Sequence, residues 1–469
     1  MKTSTIAAIS TPLGSGGIGI IKISGPAAIR IGGSIFKKSH NTSPKAISPR
    51  EPINGFKSHV LYHGHIINDS RDGIIDEVLF VHMKGPHSYT GEDVVEIQAH
   101  SGKVVLTSIM DIVLKKGAVL AEPGEFTRRA FLNGRIDLTQ AEAVSDLIQA
   151  KSISSLKVAA SHLKGGLKHK ILKIKQVILT ILTTIEAAID FPDDLEELVD
   201  PHKHQAMMEQ EALEPLKQLV GQFESGNFLR EGVSMVIVGR PNVGKSSLMN
   251  RLIDKDRAIV TAFPGTTRDT IEEYVNIEGI PVRITDTAGI QETTDPVEII
   301  GIDKTKEQLS DAHLILFMAE APKAFIKEDY EIIDTVSKEK LIFVVNKSDL
   351  VNNNIPQPSP IYRDVPCVVT SALHDKGIGE LRKVIKNKVS LDFAYESDQT
   401  LVPNLRQKMA LVEAQKIIEE VLPRIKDQLP AELMAIDLKE CVDILGEVTG
   451  DTTKSDILDE IFKQFCIGK

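Results

Sequence analysis

The stretch most able to do chemistry is Gly239-Arg240-Pro241-Asn242-Val243-Gly244-Lys245-Ser246-Ser247, which satisfies G-x-x-x-x-G-K-S. Loops of this kind turn backbone N–H groups inward around phosphate oxygens at the positive end of a helix dipole. Lys245 would neutralise phosphate charge and the Ser246 hydroxyl would ligate magnesium; Asn242, Val243, Gly244 and Ser247 count among the nucleotide-binding residues. The motif needs a strand before it and a helix after it. Val233-Ser234-Met235-Val236-Ile237-Val238 reads as a buried strand, and the residues after Gly244 read as helical.

A phosphate loop does not choose a base, so a second motif decides. Leu341-Ile342-Phe343-Val344-Val345 runs into Asn346-Lys347-Ser348-Asp349, an N-K-x-D after a strand. The Asp349 carboxylate can accept from guanine N1–H and the exocyclic amine, a donor pair that adenine lacks. Ser371-Ala372, after Cys367-Val368-Val369, is expected to bring a backbone N–H to guanine O6. Between these motifs lie Gly265-Thr266-Thr267-Arg268-Asp269 and Asp286-Thr287-Ala288-Gly289. Asp286 would hold magnesium through water, Gly289 would meet the γ-phosphate through its N–H, and Thr267 would complete the metal shell. Four motifs in this order, each at a strand end, define a GTPase.

The hydrolytic group is less obvious. Where Ras-like GTPases carry a water-orienting glutamine directly after D-x-x-G, this chain has Ile290. Gln291-Glu292-Thr293-Thr294-Asp295-Pro296-Val297-Glu298 offers three carboxylates instead, and Glu292 and Asp295 read as first-turn acids of a helix. No arginine finger stands out. Asn242, inside the phosphate loop, could place a side-chain oxygen on a monovalent cation sitting where such a finger's charge would go.

The elements that must position these groups fall into a multidomain α+β and α/β chain. Residues 1–120 alternate short β-type runs (Ile18–Ile23, Glu77–Val81, Asp93–Ile97) with turns, and a helix is expected over Lys103–Lys116. Residues 121–230 turn helical, with Leu138, Ala141, Val144, Leu147 and Ile148 at helical spacing behind Asp137 as N-cap. Residues 231–390 form the β/α unit of the phosphate loop. Residues 391–469 are helical again, which predicts a Ras-like P-loop GTPase domain inserted into a helical domain. Gly14-Ser15-Gly16-Gly17-Ile18-Gly19 satisfies G-x-G-x-x-G, yet strand-like residues follow it where a dinucleotide site needs a helix, so it reads as a tight turn.

A net charge of −10 and 4% aromatic residues argue against a broadly basic nucleic-acid-coating protein, while leaving room for a local basic cleft on one domain. The N-terminus lacks the apolar core of a signal peptide and no run of about 18 apolar residues occurs, which predicts a cytoplasmic protein with no membrane partner. Cys367, Cys441 and Cys466 form no C-x-x-C pair, so neither a zinc site nor a disulfide framework is expected. Cys367 and Cys441 read as packing residues.

Beyond the GTPase motifs, Thr11-Pro12, Gly16-Gly17-Ile18-Gly19-Ile20, Ser88-Tyr89-Thr90-Gly91-Glu92-Asp93, Pro123-Gly124-Glu125-Phe126-Thr127, Arg129-Ala130-Phe131-Leu132-Asn133 and the terminal Phe465-Cys466-Ile467-Gly468-Lys469 stand out. With these the whole chain resembles the MnmE (TrmE) family of tRNA modification GTPases. The resemblance implies a homodimer with an N-terminal α/β folate-binding and dimerisation domain, acting on tRNA with the FAD-dependent subunit MnmG (GidA). The implied reaction places a carboxymethylaminomethyl-type group on carbon 5 of the wobble uridine, with GTP as substrate, magnesium and potassium as ions, and a 5-formyltetrahydrofolate-type folate as one-carbon donor. It further implies potassium beside Asn242, the backbone of Thr261 and Phe263, and nearby Thr266; a water-orienting Glu298; and a folate pocket of Lys22, Glu96, Arg135 and Lys469. Cys466 reads either as a candidate functional thiol or as an exposed terminal packing residue. This chain departs from some members in having Gln291 where they have Arg, and Pro264, directly before Gly265, is expected to stiffen the potassium loop. The competing reading of the G motifs is a ribosome-assembly or scaffold GTPase switch, against which no basic G-x-x-G helix-turn signature is found near the C-terminus.

Overall fold

The computed structural model describes residues 4–12, 14, 16–39, 56–68, 73–191, 200–254, 272–286, 309, 312–351, 355–390, 401–426 and 431–469. The chain divides into two units, Met1–Ser145 with Asp443–Lys469, and Asp146–Val442.

In the first unit, β1 (Ile6–Ile9), β2 (Ile18–Ser24), β3 (Phe36–Lys38), β4 (Leu61–Ile67), β5 (Ile74–Met83), β6 (Val94–His100) and β7 (Val119–Leu120) form one sheet in the order β3-β4-β5-β6-β2-β1-β7. Pairing is antiparallel except between β1 and β7. Side chains alternate across a strand. Ile21 and Ile23 therefore enter one face, where α1 (Ala28–Ile35) and α2 (Lys103–Lys115) bury Ile31, Ile35, Leu106, Ile109 and Val113 against them. Lys22 takes the opposite face and stands directly across from Glu96 on β6.

The glycine run that imitates a dinucleotide fingerprint leads into β2, not a helix. Gly19 has a packing reason instead: a Cβ there would lie 2.6 Å from Leu106 Cδ1, so its absence lets α2 sit down on the sheet.

Helix α3 (Glu125–Leu132) and α4 (Leu138–Gln149) follow. Asp137 begins α4 through a reciprocal cap: Gln140 N–H donates to Asp137 Oδ1 at 3.1 Å, and Asp137 N–H donates to Gln140 Oε1 at 3.1 Å. Leu138 and Ala141 cluster with Leu458, Phe462 and Phe465 of the C-terminal segment. The tail is tied down by its backbone, with Phe126 N–H donating to Lys469 O at 3.2 Å and Ser10 Oγ donating to Gly468 O at 3.2 Å.

The second unit begins with α5 (Ile153–Leu163), α6 (Gly166–Asp190) and α7 (Pro201–Met207). A π-helical segment, Met208–Leu213, then leads into α8 (Glu214–Glu231). Pro215 lies in the first turn of α8 and has no N–H to give to the turn before it. The wider π turn is how the helix continues past that lost bond.

Strands β8 (Val233–Val238), β9 (Glu272–Ile277), β10 (Ile280–Asp286), β11 (Leu314–Glu320), β12 (Leu341–Asn346) and β13 (Cys367–Val369) form a sheet in the order β13-β12-β11-β8-β10-β9. Only β9, antiparallel to β10, departs from parallel pairing. Every residue of β8 and β12 is buried, as parallel strands covered on both faces require. Met235, Ile237, Leu316 and Val344 feed one core and Val236, Phe317, Phe343 and Val345 the other. Helices α9 (Lys245–Asp254), α10 (Lys327–Ile333) and α11 (Ile378–Ser390) belong to this region, followed by α12 (Leu405–Lys426) and α13 (Ala431–Thr449). No described helix is long and apolar enough to cross a membrane.

Candidate functional site

The phosphate loop leaves β8 at the carboxyl edge of the sheet, between β10 and β11, the place where open α/β sheets bind ligands. Its shape depends on two glycines. Gly239 has φ +150°, and a Cβ there would meet Met318 O at 2.1 Å; Gly244 has φ +100°, and a Cβ would meet Asn346 Nδ2 at 2.5 Å. Asn242 adopts φ 63°, a left-handed conformation that asparagine tolerates better than most residues. Lys245 Nζ folds back to donate to Gly239 O at 2.9 Å and Arg240 O at 3.0 Å, which holds its ammonium at the loop's mouth. Ser246 and Ser247 are exposed in the first turn of α9.

Arg240 fastens the loop on its other side. Its Nε donates to Asp329 Oδ1 at 2.7 Å and its Nη2 to Lys323 O, while Asp329, fully buried, also accepts from Ile326 N–H at 3.0 Å. Sequence reasoning did not single out this pair. An arginine in a loop has no visible partner until α10 is folded beneath it.

The base-reading loop follows β12. Asn346 is 2% exposed, and its side chain joins three segments: Nδ2 donates to Val243 O at 2.9 Å, and Oδ1 accepts from Ala372 N–H at 3.0 Å and Thr370 Oγ1 at 3.3 Å. Its main contribution is thus to clamp the phosphate loop to the loop after β13. Lys347, at φ 60°, pairs with Glu320 Oε2 at 2.9 Å, and this hydrogen bond holds the Glu320 carboxyl below its ordinary value.

Asp349 is exposed, and Ser371 Oγ donates to its Oδ1 at 2.5 Å. That hydrogen bond lowers the Asp349 carboxyl below its usual range, so it stands as an acceptor-only carboxylate. Each carboxylate oxygen has two lone pairs, so Ser371 leaves acceptor capacity on both for a base. The O6 contact expected from Ser371-Ala372 meets a different arrangement. Ala372 N–H is given to Asn346 Oδ1 and Ser371 N–H to Lys376 O at 3.0 Å, so a guanine O6 would share or displace the Ala372 donor.

Asp286 closes β10 at the same sheet edge, but its side chain lies outside what is described. Thr261, Phe263, Thr266, Thr267, Gly289, Ile290, Gln291 and Glu298 all lie outside the described residues. The donor chemistry present suits the ions a nucleotide brings. Ser246 is an exposed hydroxyl and Asn242 an exposed amide oxygen, neither with a hydrogen-bond partner among the described residues. Such neutral oxygens suit hard cations.

The first unit carries a second cluster of polar and aromatic side chains. Lys22 Nζ lies 3.9 Å from Glu96 Oε1 and 5.5 Å from the ring centres of both Tyr89 and Phe126. Arg135 stacks its guanidinium 5.0 Å from the Tyr89 ring centre and donates from Nη1 to Tyr89 O at 2.8 Å. Burial pushes the Lys22 ammonium below its ordinary pKa, Glu96 pulls it back up, and Lys469 lowers it further. Of the four residues expected around one ligand, Lys22 and Arg135 flank Tyr89, which sequence reasoning quoted only as part of a motif, while Glu96 and Lys469 both act on the Lys22 ammonium. The rest of that motif is structural. Glu92 accepts from Ser24 Oγ at 2.8 Å and pairs with Arg129 at 3.2 Å, and Asn133 Nδ2 donates to Thr90 O at 2.7 Å. Cys466 is exposed, Cys441 buried and Cys367 intermediate.

Fold and site together define a P-loop protein built to bind a guanine nucleotide, with an appended N-terminal sheet and helical segments. The family model for the GTP-binding protein TrmE N-terminus matches residues 5–135, and that for the MnmE helical domain matches residues 138–466. The chain is 44% identical to the tRNA modification GTPase MnmE of Thermoanaerobacter pseudethanolicus, with 100% of each chain covered. It is 41% identical to that of Bacillus subtilis, covering 99% of this chain and 100% of the relative. The chain belongs to the MnmE (TrmE) family of tRNA modification GTPases.

Proposed function

We propose that this protein is the GTP-hydrolysing component of tRNA wobble-uridine modification, a cytoplasmic homodimer working with an FAD-dependent MnmG subunit to build a carboxymethylaminomethyl-type group at carbon 5. The observation that carries the guanine reading is the Asp349 carboxylate, fixed by Ser371 at the carboxyl edge that also carries the phosphate loop. Likeness over the full length of MnmE relatives carries the tRNA reading.

In this reading, loop N–H groups and Lys245 bind the phosphates, and Asp349 selects the base. Asn346 keeps the two loops in register. Ser246, with Thr267 and Asp286, would hold magnesium, which neutralises charge developing on the transferred phosphoryl group. Asn242 would donate its side-chain oxygen to potassium, joined by the backbone of Thr261 and Phe263 and by Thr266. Glu298 would orient the attacking water that Ile290 is unable to hold. Lys22, Glu96, Arg135 and Lys469 would bind a 5-formyltetrahydrofolate-type donor. The carboxylate suits the guanidine-like edge of a pterin, and the cations suit a glutamyl tail.

GTP turnover measured at matched ionic strength is expected to be faster in potassium than in sodium, and Asn242→Ala is expected to abolish the difference. Glu298→Ala should retain GTP binding while losing most turnover in either salt. Equal rates in the two salts would remove potassium from the mechanism, and undiminished turnover in Glu298→Ala would remove that glutamate.

A further inference from the structure

A groove of about 880 Å³ lies in the helical part of the second unit, apart from the nucleotide edge. One wall is a face of α6 and the turn before it, carrying Lys164, His169, Lys170 and Lys173; the other carries Met207, Glu211 and Pro215, the residues around the π-helical segment. This is a concentration of positive charge on a chain whose net charge is −10. Among the described residues Lys164, Lys170 and Lys173 have no carboxylate partner, and Glu211 is the single acid in the described lining. The N-terminus of α6 opens on the same groove through Gly166. Its N-cap, Gly165, supplies no side-chain cap, and its first turn contains no acid, so the positive end of the helix dipole is left uncompensated there. Burial lowers the Lys170 ammonium below its ordinary pKa, a cost that an anion would offset.

We propose that this groove binds the phosphate backbone of tRNA. The assignment rests on the tRNA reading given above and adds where the RNA docks. Gly166 to Lys173 spans about 10 Å along α6 at 1.5 Å per residue, with Lys164 in the turn before it, a distance over which a nucleic-acid strand presents more than one phosphate. Ile174, Val177 and Met207 offer apolar surface for the lysine stems. Among the described residues the lining contains no Phe, Tyr or Trp on which a base could stack. The groove therefore positions the RNA through its backbone and reads no sequence.

The test is tRNA binding by the full-length protein across a salt series. Lys164→Gln/Lys170→Gln/Lys173→Gln is expected to bind about tenfold or more weakly, and the slope of log affinity against log salt should fall by about two. The loss should be equal for tRNAs that are modified and those that are not. The corresponding triple Arg variant is expected to restore binding, and basal GTP turnover, unchanged in all variants, reports an intact fold. The double variant Lys164→Gln/Lys173→Gln, at exposed positions, gives a smaller loss of the same kind if the triple fails to fold. Wild type binding tRNA with the triple Gln variant equal to it in affinity and slope overturns the groove while leaving the tRNA reading intact. Wild type showing no tRNA binding overturns both. A triple Gln variant that keeps tRNA but loses association with a protein partner also overturns the proposal, making the groove a protein-docking surface.

Discussion

Asp349→Asn is expected to weaken GTP binding by about a hundredfold or more while improving binding of xanthosine triphosphate. The carboxylate is an acceptor on both oxygens, held in that state by the Ser371 hydroxyl, and guanine presents two donors to it. An asparagine replaces one acceptor with an N–H₂ that faces a guanine donor, whereas xanthine offers a carbonyl at that position. Because the side chain is exposed, the substitution should leave the fold intact, and the thermal transition should be unchanged. Competition binding with GTP, ATP and xanthosine triphosphate reads the effect directly. Unchanged GTP affinity would mean that the base is recognised elsewhere.

Asn346→Ala should produce the largest loss of stability. Its side chain is almost completely buried, and its amide satisfies the Val243 carbonyl and the Ala372 N–H together. Truncation leaves both backbone groups without their partner, at about 1–2 kcal/mol each, so a loss of about 2–4 kcal/mol is expected. For a domain of this size that corresponds to a fall of roughly 5–15 °C in the transition that reports the G domain. GTP binding should fall with it, since the phosphate loop and the base loop lose their common clamp. Asn346→Asp should do no better at neutral pH, because a carboxylate would face the Val243 carbonyl oxygen. A variant with an unaltered transition and unaltered GTP affinity would show that the clamp has no energetic role.

These two residues also show what sequence could and could not reveal. Val233–Val238 and Leu341–Asn346 were legible as strands because buried parallel strands are nearly continuous apolar runs, and their motifs sit where such strands end. The base-reading role of Asp349 follows from its chemistry within N-K-x-D. The clamp made by Asn346 does not, since it needs three loops, distant in sequence, to meet at one edge. The commitment of Ala372 N–H to Asn346 was illegible for the same reason. Asp137 could be read as a cap because its partner is three residues away, but Arg240 could not be paired with Asp329, 89 residues on. Gly19 was correctly separated from a dinucleotide site by the strand after it, while its packing role required Leu106 to be in place. In the first unit, the cross-strand pairing of Lys22 and Glu96 depends on register between β2 and β6, which alternation alone does not fix. The π-helical segment has a visible cause in Pro215, yet a proline inside a helical pattern predicts a break as readily as a π turn.

The central claim, that this GTPase serves wobble-uridine modification, is tested most directly by nucleoside analysis of tRNA from cells lacking the protein. The account predicts that the carboxymethylaminomethyl-type group at carbon 5 disappears, returns with the wild-type chain, and fails to return with Asp349→Asn. Wobble uridines that keep their full modification in the absence of the protein would contradict it.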